Sequence, residues 1–352
     1  MSERMKQLLG SMCPTPLGEG QVIEMAHGGG GRRMQGLIHE LIAPHFGEQA
    51  CKHDGALLDS PPPGHRLALS TDSFVVTPLF FPGGDIGRLA VFGTVNDLAM
   101  CGALPKAISL SLIIEEGLPI DVLDAILASV AKACKEAGVA VVTGDTKVVQ
   151  HGKGDGLFVN TTGVGWVPES LKIGPERVQE RDSVVVSGDL GRHAVAIMSQ
   201  RSGLAFDGPI SSDCAPLSPM VQALLKDGLN PHCLRDITRG GLAAVLTEII
   251  GNTKLDLHID EGRLAQSPWV RGACEILGLY PIHLACEGRF VLFLEAEEAP
   301  RAVEILSTYE AGKDACIVGR VMQGRGRVRL LGPLGNERLL TLPAGEPLPR
   351  IC

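Results

Sequence analysis

The sequence has 352 residues, of which 45% are hydrophobic and 20% charged, and its net charge is -8 at pH 7. This length predicts two domains, each large enough to bury a core. The acidic balance, the lack of a long Lys/Arg block and an aromatic content of 4% argue against nucleic acid as a partner. No apolar stretch of about 18 residues occurs, so neither a membrane span nor a membrane partner is expected.

Residues 1–26 are interpreted as an N-terminal extension, and they lack the apolar core of a signal peptide. Ten irregularly spaced cysteines without a C-x-x-C pair argue against a disulfide framework or a Cys-rich zinc site. We therefore expect a cytoplasmic protein in which most cysteines are buried as small hydrophobic side chains.

The pattern of residues 27–167 predicts the first domain. Apolar runs predict strands over 65–76, 105–116, 138–149 and 156–167, and helical patterns cover 85–102 and 120–138. Strands that alternate with helices indicate an α/β or α+β domain. Glycines and Pro168 place the domain boundary near residue 168.

Residues 168–335 predict a second α/β domain. It opens with a strand, a turn and a helix over 182–203, continues with a loop and helix over 234–251, and ends with further strands. Residues 336–352 are predicted to be a flexible tail, rich in proline and ending in Cys352. Ten residues of polyproline-like chain reach roughly 30 Å, so such a tail could carry a thiol between sites. The alternative is a frayed end that happens to finish in cysteine.

Four consecutive glycines, Gly28, Gly29, Gly30 and Gly31, precede the first helical pattern. Their N–H groups can form a nest for an anion, and Arg32 and Arg33 follow with positive charge. A flexible hinge is an equally good interpretation of a bare glycine run. The sequence contains no Walker A loop, and the run is not a dinucleotide-binding turn.

Three aspartates are candidates for a cation site. Asp72 closes an apolar run, Asp97 shares the small-residue face of a helix, and Asp236 precedes another helix. A buried carboxylate at Asp97 needs a metal ion, another cation or backbone donors, and Asp236 could simply cap its helix. Beside Asp236, Gly240 and Gly241 are predicted to leave N–H groups free for a phosphate.

The stretch "TGDTK" is interpreted as a loop at the end of a strand, where Asp145 and Lys147 could contribute to a site. Carboxylates at element ends together with two glycine-rich turns suggest Mg²⁺ and a nucleotide, because oxygen ligands suit Mg²⁺. The residues alone therefore indicate an ATP-using enzyme without a P-loop.

These motifs resemble those of the HypE family of hydrogenase maturation factors, the carbamoyl dehydratases of [NiFe]-hydrogenase assembly. The matching stretches include "AHGGGG", "STDSFVVTPLFFPGGDIGRLA", "VNDLAMCGA", "VTGDTKVV", "RDITRGG", "EGRFV" and "PLPRIC". "TDS" and "TRGG" alone indicate only the wider superfamily of aminoimidazole ribonucleotide synthetase and selenophosphate synthetase. The resemblance covers residues 27–352.

The resemblance implies a two-domain aminoimidazole ribonucleotide synthetase-like fold whose N-terminal domains pair into a β-barrel homodimer. It also implies an ATP cleft covered by the glycine run. The residues that it assigns to nucleotide are Gly28, Gly29, Gly30, Gly31, Asp72, Asp97, Asp145, Thr146, Gly240 and Gly241. Asp72, Asp97 and Asp236 would hold Mg²⁺.

The resemblance assigns the chemistry to Cys352, Lys147 and Glu287. Cys352 would carry a carbamoyl group, which is dehydrated with ATP to a thiocyanate, the cyanide donor for the iron centre. A carbamoyltransferase and an iron-carrying scaffold complex are the implied partners. Two alternatives stay open at these residues: Lys147 could be a surface lysine or bind only phosphate, and Glu287 could pair with Arg289.

Two other functions remain in competition. One is a synthetase or kinase of the same superfamily that acts on a free small molecule, as a selenophosphate-type enzyme does. The other is an assembly scaffold that binds nucleotide without catalysis. Loss of Cys352 separates the first from the carrier mechanism, because a diffusible substrate does not need this thiol.

Overall fold

The structure is a computed structural model, and it describes residues 21–202, 208, 210–332, 334–342, 345, 348 and 350–352. The chain forms two α/β domains, each built on one sheet, as the sequence predicts.

The first domain begins earlier than predicted. Val22 forms a β-bridge with Pro119, and the Ile23 N–H donates to the Leu118 carbonyl at 2.8 Å. The Ile23 side chain is completely buried in the core of this domain. Residues 21–26 therefore belong to the domain, and the prediction of an extension over 1–26 is wrong for them. Residues 1–20 lie outside the described part of the chain.

The elements of the first domain follow the predicted order. The strands are β1 (His65–Phe74), β2 (Phe80–Phe81), β3 (Gly84–Asp85), β4 (Leu104–Glu115), β5 (Ala140–Val149) and β6 (Leu157–Pro168). The helices are α1, which joins Arg32–Gly36, a π-helical Leu37–Ile42 and Ala43–Phe46, then α2 (Ile86–Met100) and α3 (Ile120–Ala137). Short 3₁₀ turns cover Met25–Gly28 and Glu48–Cys51.

The main sheet of this domain has the order β1-β6-β4-β5, so β1 and β5 are its two edges. β4 and β5 run parallel, whereas β6 runs antiparallel to both β1 and β4. The register places Asp72 opposite Thr161, and Thr161 opposite Leu110, whose partner on β5 is Gly144. Asp72 and Asp145 consequently lie at opposite edges of one sheet.

Helix α2 joins the two domains. It begins at Ile86 because the Asp85 carboxylate caps it, accepting from the Gly87 N–H at 2.8 Å and the Arg88 N–H at 3.0 Å. Almost every residue of α2 is buried, since it packs between the first sheet and the second domain. Its Asn96 accepts from the Leu217 N–H at 2.8 Å. The helix thus carries Asp97 to the boundary between the domains.

The second domain has a seven-stranded sheet in the order β13-β12-β9-β11-β7-β10-β8. The strands are β7 (Ser183–Val186), β8 (Cys233–Asp236), β9 (Leu255–Asp260), β10 (Phe290–Leu294), β11 (Cys316–Gln323), β12 (Val328–Leu331) and β13 (Glu337–Leu339). The helices are α4 (Arg192–Ser202), α5 (Ser218–Lys226), α6 (Gly241–Ile250), α7 (Pro268–Leu277) and α8 (Ala299–Leu306). Short 3₁₀ turns cover Pro175–Arg177, Glu261–Arg263, Pro281–His283 and Glu310–Gly312.

The predicted tail, residues 336–352, is partly structured. Its residues Glu337–Leu339 form β13 and pair with β12, so the second domain extends past residue 335. Leu348 and Ile351 are buried in a hydrophobic cluster that combines the core of the first domain with side chains of α4 and α7. The prolines at 343, 347 and 349 lie outside the described residues, so the predicted polyproline reach stays a prediction. In the described ranges no helix is long and apolar enough to cross a membrane.

Candidate active site

A pocket of about 460 Å³ lies where β1, α2 and the end of β8 meet. Its lining brings together side chains from distant parts of the sequence, namely Asp72, Asp97, Arg235, Asp236, Arg239, Glu287 and Cys352. The three predicted metal ligands and two of the three predicted catalytic residues therefore share one pocket.

Cys352 is half-buried at the wall of this pocket. Its main-chain oxygen accepts a hydrogen bond from the Val75 N–H at 3.2 Å, just after β1. The preceding residue, Ile351, is only 4% exposed. Cys352 thus lines the same pocket as the carboxylates.

Glu287 is buried next to β10 and is 4% exposed. Within the described residues its Oε1 atom has no hydrogen-bond partner. Burial raises the pKa of this carboxyl well above its usual value, and the nearby Asp236 and Asp213 raise it further. A carboxylate with a raised pKa and an uncommitted oxygen has the properties of a general base.

Glu287 is not the ion-pair partner of Arg289. The Arg289 guanidinium contacts Asp189 at 2.6 Å and Asp213 at 3.9 Å. Asp213 also accepts from the Glu287 N–H at 3.1 Å. The buried arginine therefore holds the backbone around Glu287, and the interpretation of Glu287 as its partner is wrong.

Asp236 ends β8 and does not cap the next helix. The N-cap of α6 is Gly240, so the capping interpretation is wrong. Burial raises the pKa of Asp236 to about 7, with Asp97 and Asp72 adding to this effect and Arg235 opposing it. The pocket therefore holds acids that repel one another in the absence of a cation.

The carboxyl groups of Asp97 and Asp72 also have raised pKa values. Asp97 accepts a hydrogen bond from the Ser70 hydroxyl at 2.6 Å, so its donor is a side chain and not a backbone amide. Asp72 accepts from the Ser73 N–H at 2.8 Å. Burial raises the pKa of both carboxyls, and Asp72 further raises that of Asp97.

These acids do not form a preassembled metal cage. Among the described residues no group of three or more His, Cys, Asp or Glu side chains is arranged to hold a metal ion. Mg²⁺ usually takes one or two carboxylates, keeps several waters and binds substrate phosphates. The crowded carboxylates of this pocket fit an ion that arrives with a nucleotide.

A second group of predicted residues lies at the other edge of the sheet. Asp145, Thr146 and Lys147 are within β5, so the prediction of a strand-end loop is wrong; parallel pairing with β4 continues to Val149. The Lys147 Nζ atom contacts both carboxylate oxygens of Asp145 at 2.7 Å, and the lysine side chain is 62% exposed. This ion pair lowers the pKa of Asp145.

The glycine run packs against the same strand. A Cβ atom at Gly28 would lie 2.9 Å from the Val148 backbone nitrogen, so only glycine fits there. Gly30 has a φ of 76°, and Gly31 is the N-cap of α1. The run therefore lies beside Lys147 and Asp145, with open space around Gly30 and Gly31.

Asp145 and Thr146 also line a separate, mostly apolar cavity of about 130 Å³ under α1. Neither they nor Lys147 line the pocket of Cys352. Three strand spacings separate the two edges, which is about 14 Å. Within one chain the predicted nucleotide residues thus form two groups.

The prediction that Gly240 and Gly241 leave N–H groups free for a phosphate is wrong for Gly241. Both have positive φ angles, 75° and 65°, which glycine tolerates. The Gly241 N–H donates to the Thr238 carbonyl at 2.9 Å, so it is not free for a phosphate. Neither glycine lines the pocket of Cys352.

Sequence reasoning missed the residues that hold the end of the chain. His193 and Arg201 on α4 and Asp155 before β6 contact Arg350 and Ile351. No motif or spacing links these positions to the tail, and their contacts arise only when the domains pack together.

Comparison with known proteins agrees with this architecture. Residues 52–167 match the family model "AIR synthase related protein, N-terminal domain", and residues 179–330 match the corresponding C-terminal domain. The carbamoyl dehydratase HypE of Escherichia coli (strain K12) is 45% identical over 335 residues, which covers 94% of this chain and 99% of that protein.

Two solved structures extend the comparison. A HypE structure in complex with ATP matches with a TM-score of 0.89 and 42% identity, covering 94% of this chain and 99% of that one. A HypE–HypF complex matches with a TM-score of 0.77 and 43% identity, covering 87% and 99%. The predicted resemblance and two-domain fold are confirmed, and the chain belongs to the HypE family of hydrogenase maturation carbamoyl dehydratases.

Proposed function

We propose that this protein uses ATP to dehydrate a carbamoyl group carried on its own Cys352. The product is a thiocyanate on the same sulfur, which serves as the cyanide donor for the iron centre of a [NiFe]-hydrogenase. The observation that carries the proposal is the position of Cys352 in a pocket lined by Glu287 and three aspartates. An enzyme acting on a diffusible substrate has no need for this placement.

The chemistry requires activation of a poor leaving group. The carbamoyl oxygen attacks the γ-phosphorus of ATP, and ADP leaves. The C–O bond then breaks and releases phosphate, while the nitrogen gives up two protons and the C≡N bond forms. One of these protons ends on phosphate at neutral pH, and the other passes to a base.

Glu287 is the base in this proposal. Proton removal from nitrogen requires a positioned acceptor, and the Oε1 atom of Glu287 lacks a hydrogen-bond partner among the described residues. Its raised pKa increases its proton affinity. Cations that accompany ATP would keep enough of this carboxylate ionised to act.

Asp72, Asp97 and Asp236 are the proposed Mg²⁺ ligands. The ion would neutralise charge on the transferring phosphoryl group. Support comes from the raised pKa values of all three carboxyls, which a bound cation would lower. ATP itself is supported by the relative whose structure contains it.

A homodimer is the proposed way to unite the two groups of nucleotide residues. Leu67 and Leu69 on the edge strand β1 are 59% and 70% exposed, and Leu104 and Ile113 on β4 are also exposed. Pairing β1 of one sheet with β5 of a second copy, twice, closes two four-stranded sheets into a barrel. This would bring Asp72 near Lys147 of the partner subunit, where the lysine could neutralise phosphate charge.

The proposed reaction requires two protein partners. A carbamoyltransferase must place the carbamoyl group on Cys352, and the solved HypE–HypF complex supports a partner at this step. An iron-carrying scaffold must accept the cyanide. Both need access to the sulfur, so the tail must leave the pocket during the cycle.

Phosphate release after carbamoylation tests the proposal. Carbamoylated wild-type protein should release one phosphate per chain with ATP and Mg²⁺, whereas Cys352→Ala should release none above background. If Cys352→Ala turns over ATP with a diffusible substrate, the selenophosphate-type alternative is correct. If the carbamoylated wild type binds ATP without releasing phosphate, the scaffold alternative is correct.

A further inference from the structure

Both domains hold the last residues of the chain in place. The Val75 N–H of the first domain donates to the main-chain oxygen of Cys352 at 3.2 Å. One residue earlier, the Ile351 carbonyl lies 2.6 Å from the Nε2 atom of His193, on helix α4 of the second domain. These two contacts flank the α-carbon of Cys352, so together they fix the direction of its Cα–Cβ bond.

The hydrogen bonds around His193 assign its tautomer. A carbonyl oxygen can only accept, so the Nε2 atom must carry the proton that binds Ile351. The Nδ1 atom lies 2.8 Å from the Ser212 hydroxyl, and the Ser212 oxygen accepts from the Cys214 N–H at 3.1 Å. The hydroxyl hydrogen is then directed to Nδ1, which orients the ring.

The surroundings of His193 keep this arrangement neutral. The side chain is completely buried, and burial lowers its pKa although Asp213 acts in the opposite direction. The Phe81 ring meets the imidazole edge to face, with centroids 5.5 Å apart. The donor to Ile351 is therefore preorganised before the tail arrives.

A second set of contacts holds the residue before Ile351. Arg350 pairs with Asp155, and its guanidinium donates to the Val75 carbonyl at 3.3 Å. Arg201, on α4, donates to the Arg350 carbonyl and to the Thr77 carbonyl. These groups are more exposed than His193, so each contact is worth less.

We propose that His193, oriented by Ser212, is the positioning residue that sets the Cys352 sulfur in the reaction pocket by binding the Ile351 carbonyl. Arg201 and Asp155 form an outer clamp on Arg350. The inference rests on the proposed function for what happens at the sulfur, but the docking itself does not depend on that function. The docking site contacts the backbone and side chains of Arg350 and Ile351 rather than the thiol.

Alkylation of Cys352 measures docking without catalysis. Full-length protein is treated with iodoacetamide, and cleavage after Lys313 releases residues 314–352, in which fragment ions separate Cys316 from Cys352. His193→Phe keeps an aromatic ring and removes the donor, so alkylation of Cys352 should rise about tenfold, the effect of one lost hydrogen bond. His193→Gln retains an N–H donor and should restore most of the protection.

Two measurements guard against a folding defect. Cys233 is completely buried and should stay unreactive in every folded variant. Ser212→Ala leaves the histidine in place and removes only its orienting hydroxyl, and it should raise alkylation about threefold. If Cys352 in both Ser212→Ala and folded His193→Phe reacts at the wild-type rate, or if His193→Phe does not fold and Ser212→Ala has no effect, the inference is overturned.

Dehydration of carbamoylated protein links docking to chemistry. In single turnover, His193→Phe should slow dehydration about tenfold, with ATP binding unchanged and rescue by His193→Gln. Unchanged dehydration in a variant with faster alkylation contradicts the positioning role. If even the wild type yields no dehydrated product while alkylation responds as expected, the proposed function fails and the docking role stands.

Discussion

Glu287 and Cys352 line the same pocket, although they are 65 residues apart in the sequence. Glu287 is held beside β10, whereas Cys352 is brought in by the docked tail. The residue with an unpartnered carboxylate oxygen and the residue whose thiol would carry the substrate thus share a pocket that Asp72 and Asp236 also line.

Replacing Glu287 with glutamine should stop dehydration and leave carbamoylation intact. Glutamine keeps the shape of the side chain but is not a base, and loss of a general base costs about 10²–10⁴-fold in rate. Single-turnover mass spectrometry of the peptide that contains Cys352 measures both steps. Because burial already favours the uncharged form of Glu287, the variant should be at least as heat-stable as the wild type. Dehydration at the wild-type rate would show that another group is the base.

Lys147→Ala and Asp72→Asn should each abolish dehydration and should complement each other in mixed dimers. The two residues lie at opposite edges of one sheet, so a dimer joined at these edges draws one from each chain. In a heterodimer of the variants, one of the two sites has both native residues. Co-expression should therefore recover about a quarter of the wild-type sites.

Titration of phosphate release at saturating ATP counts these sites. Co-expression of Lys147→Ala with itself is the matched control and should recover none. If the mixed dimers are as inactive as either parent, both residues of a site come from one chain.

Leu69→Asp should disrupt the proposed dimer. Leu69 is 70% exposed on the edge strand β1, and a charge in the new interface would stay unpaired. Light scattering after size exclusion should show a monomer. This monomer should also bind ATP much more weakly than the wild type does. Leu334→Asp is the control, because Leu334 is 95% exposed outside the first sheet and its replacement should leave the dimer intact. A Leu69→Asp variant that remains dimeric would place the interface elsewhere.

The free energy of unfolding of the nucleotide-free protein should fall between about pH 4 and about pH 7. The pKa of Asp236 is raised from 3.8 to about 7, so the folded state binds this proton more tightly than the unfolded state does. The stabilisation is fully present below the unfolded pKa and is lost as the pH rises through the folded value.

Urea titrations at several pH values measure this slope. Asp236→Asn should flatten it, and saturating ATP with Mg²⁺ should also flatten it in the wild type by favouring the carboxylate form. An unchanged slope in Asp236→Asn would assign the pH dependence to other groups.

The elements of the first domain could be predicted closely from the sequence, because hydrophobic period and turn residues are local signals. The strand over 65–74 and helix α2 are examples, since β1 begins as predicted and α2 begins one residue later. The apolar pattern over 138–149 predicts β5, but the polar stretch around Asp145 and Lys147 within it favours a loop. Polar residues on an exposed edge strand carry the same composition as a loop, and only pairing with β4 distinguishes them.

Several residues of the shared pocket could be predicted from the sequence, but their arrangement in space could not. Asp72, Asp97 and Asp236 meet because α2 packs against both β1 and β8, which is a tertiary contact without a local signal. The burial of Ile351 and its bond to His193 likewise depend on the packing of α4 against the first domain. Local sequence around His193 gives no sign of this role.

The mass of the peptide that contains Cys352 tests the central claim most directly. Protein carbamoylated by its donor is incubated with Mg²⁺ and either ATP or a non-hydrolysable analogue. The peptide released by cleavage after Lys313 is then analysed by mass spectrometry and fragmentation. The account predicts that the carbamoyl adduct on Cys352 loses the mass of one water with ATP and not with the analogue. An adduct on another residue, or loss of water without ATP hydrolysis, would contradict it.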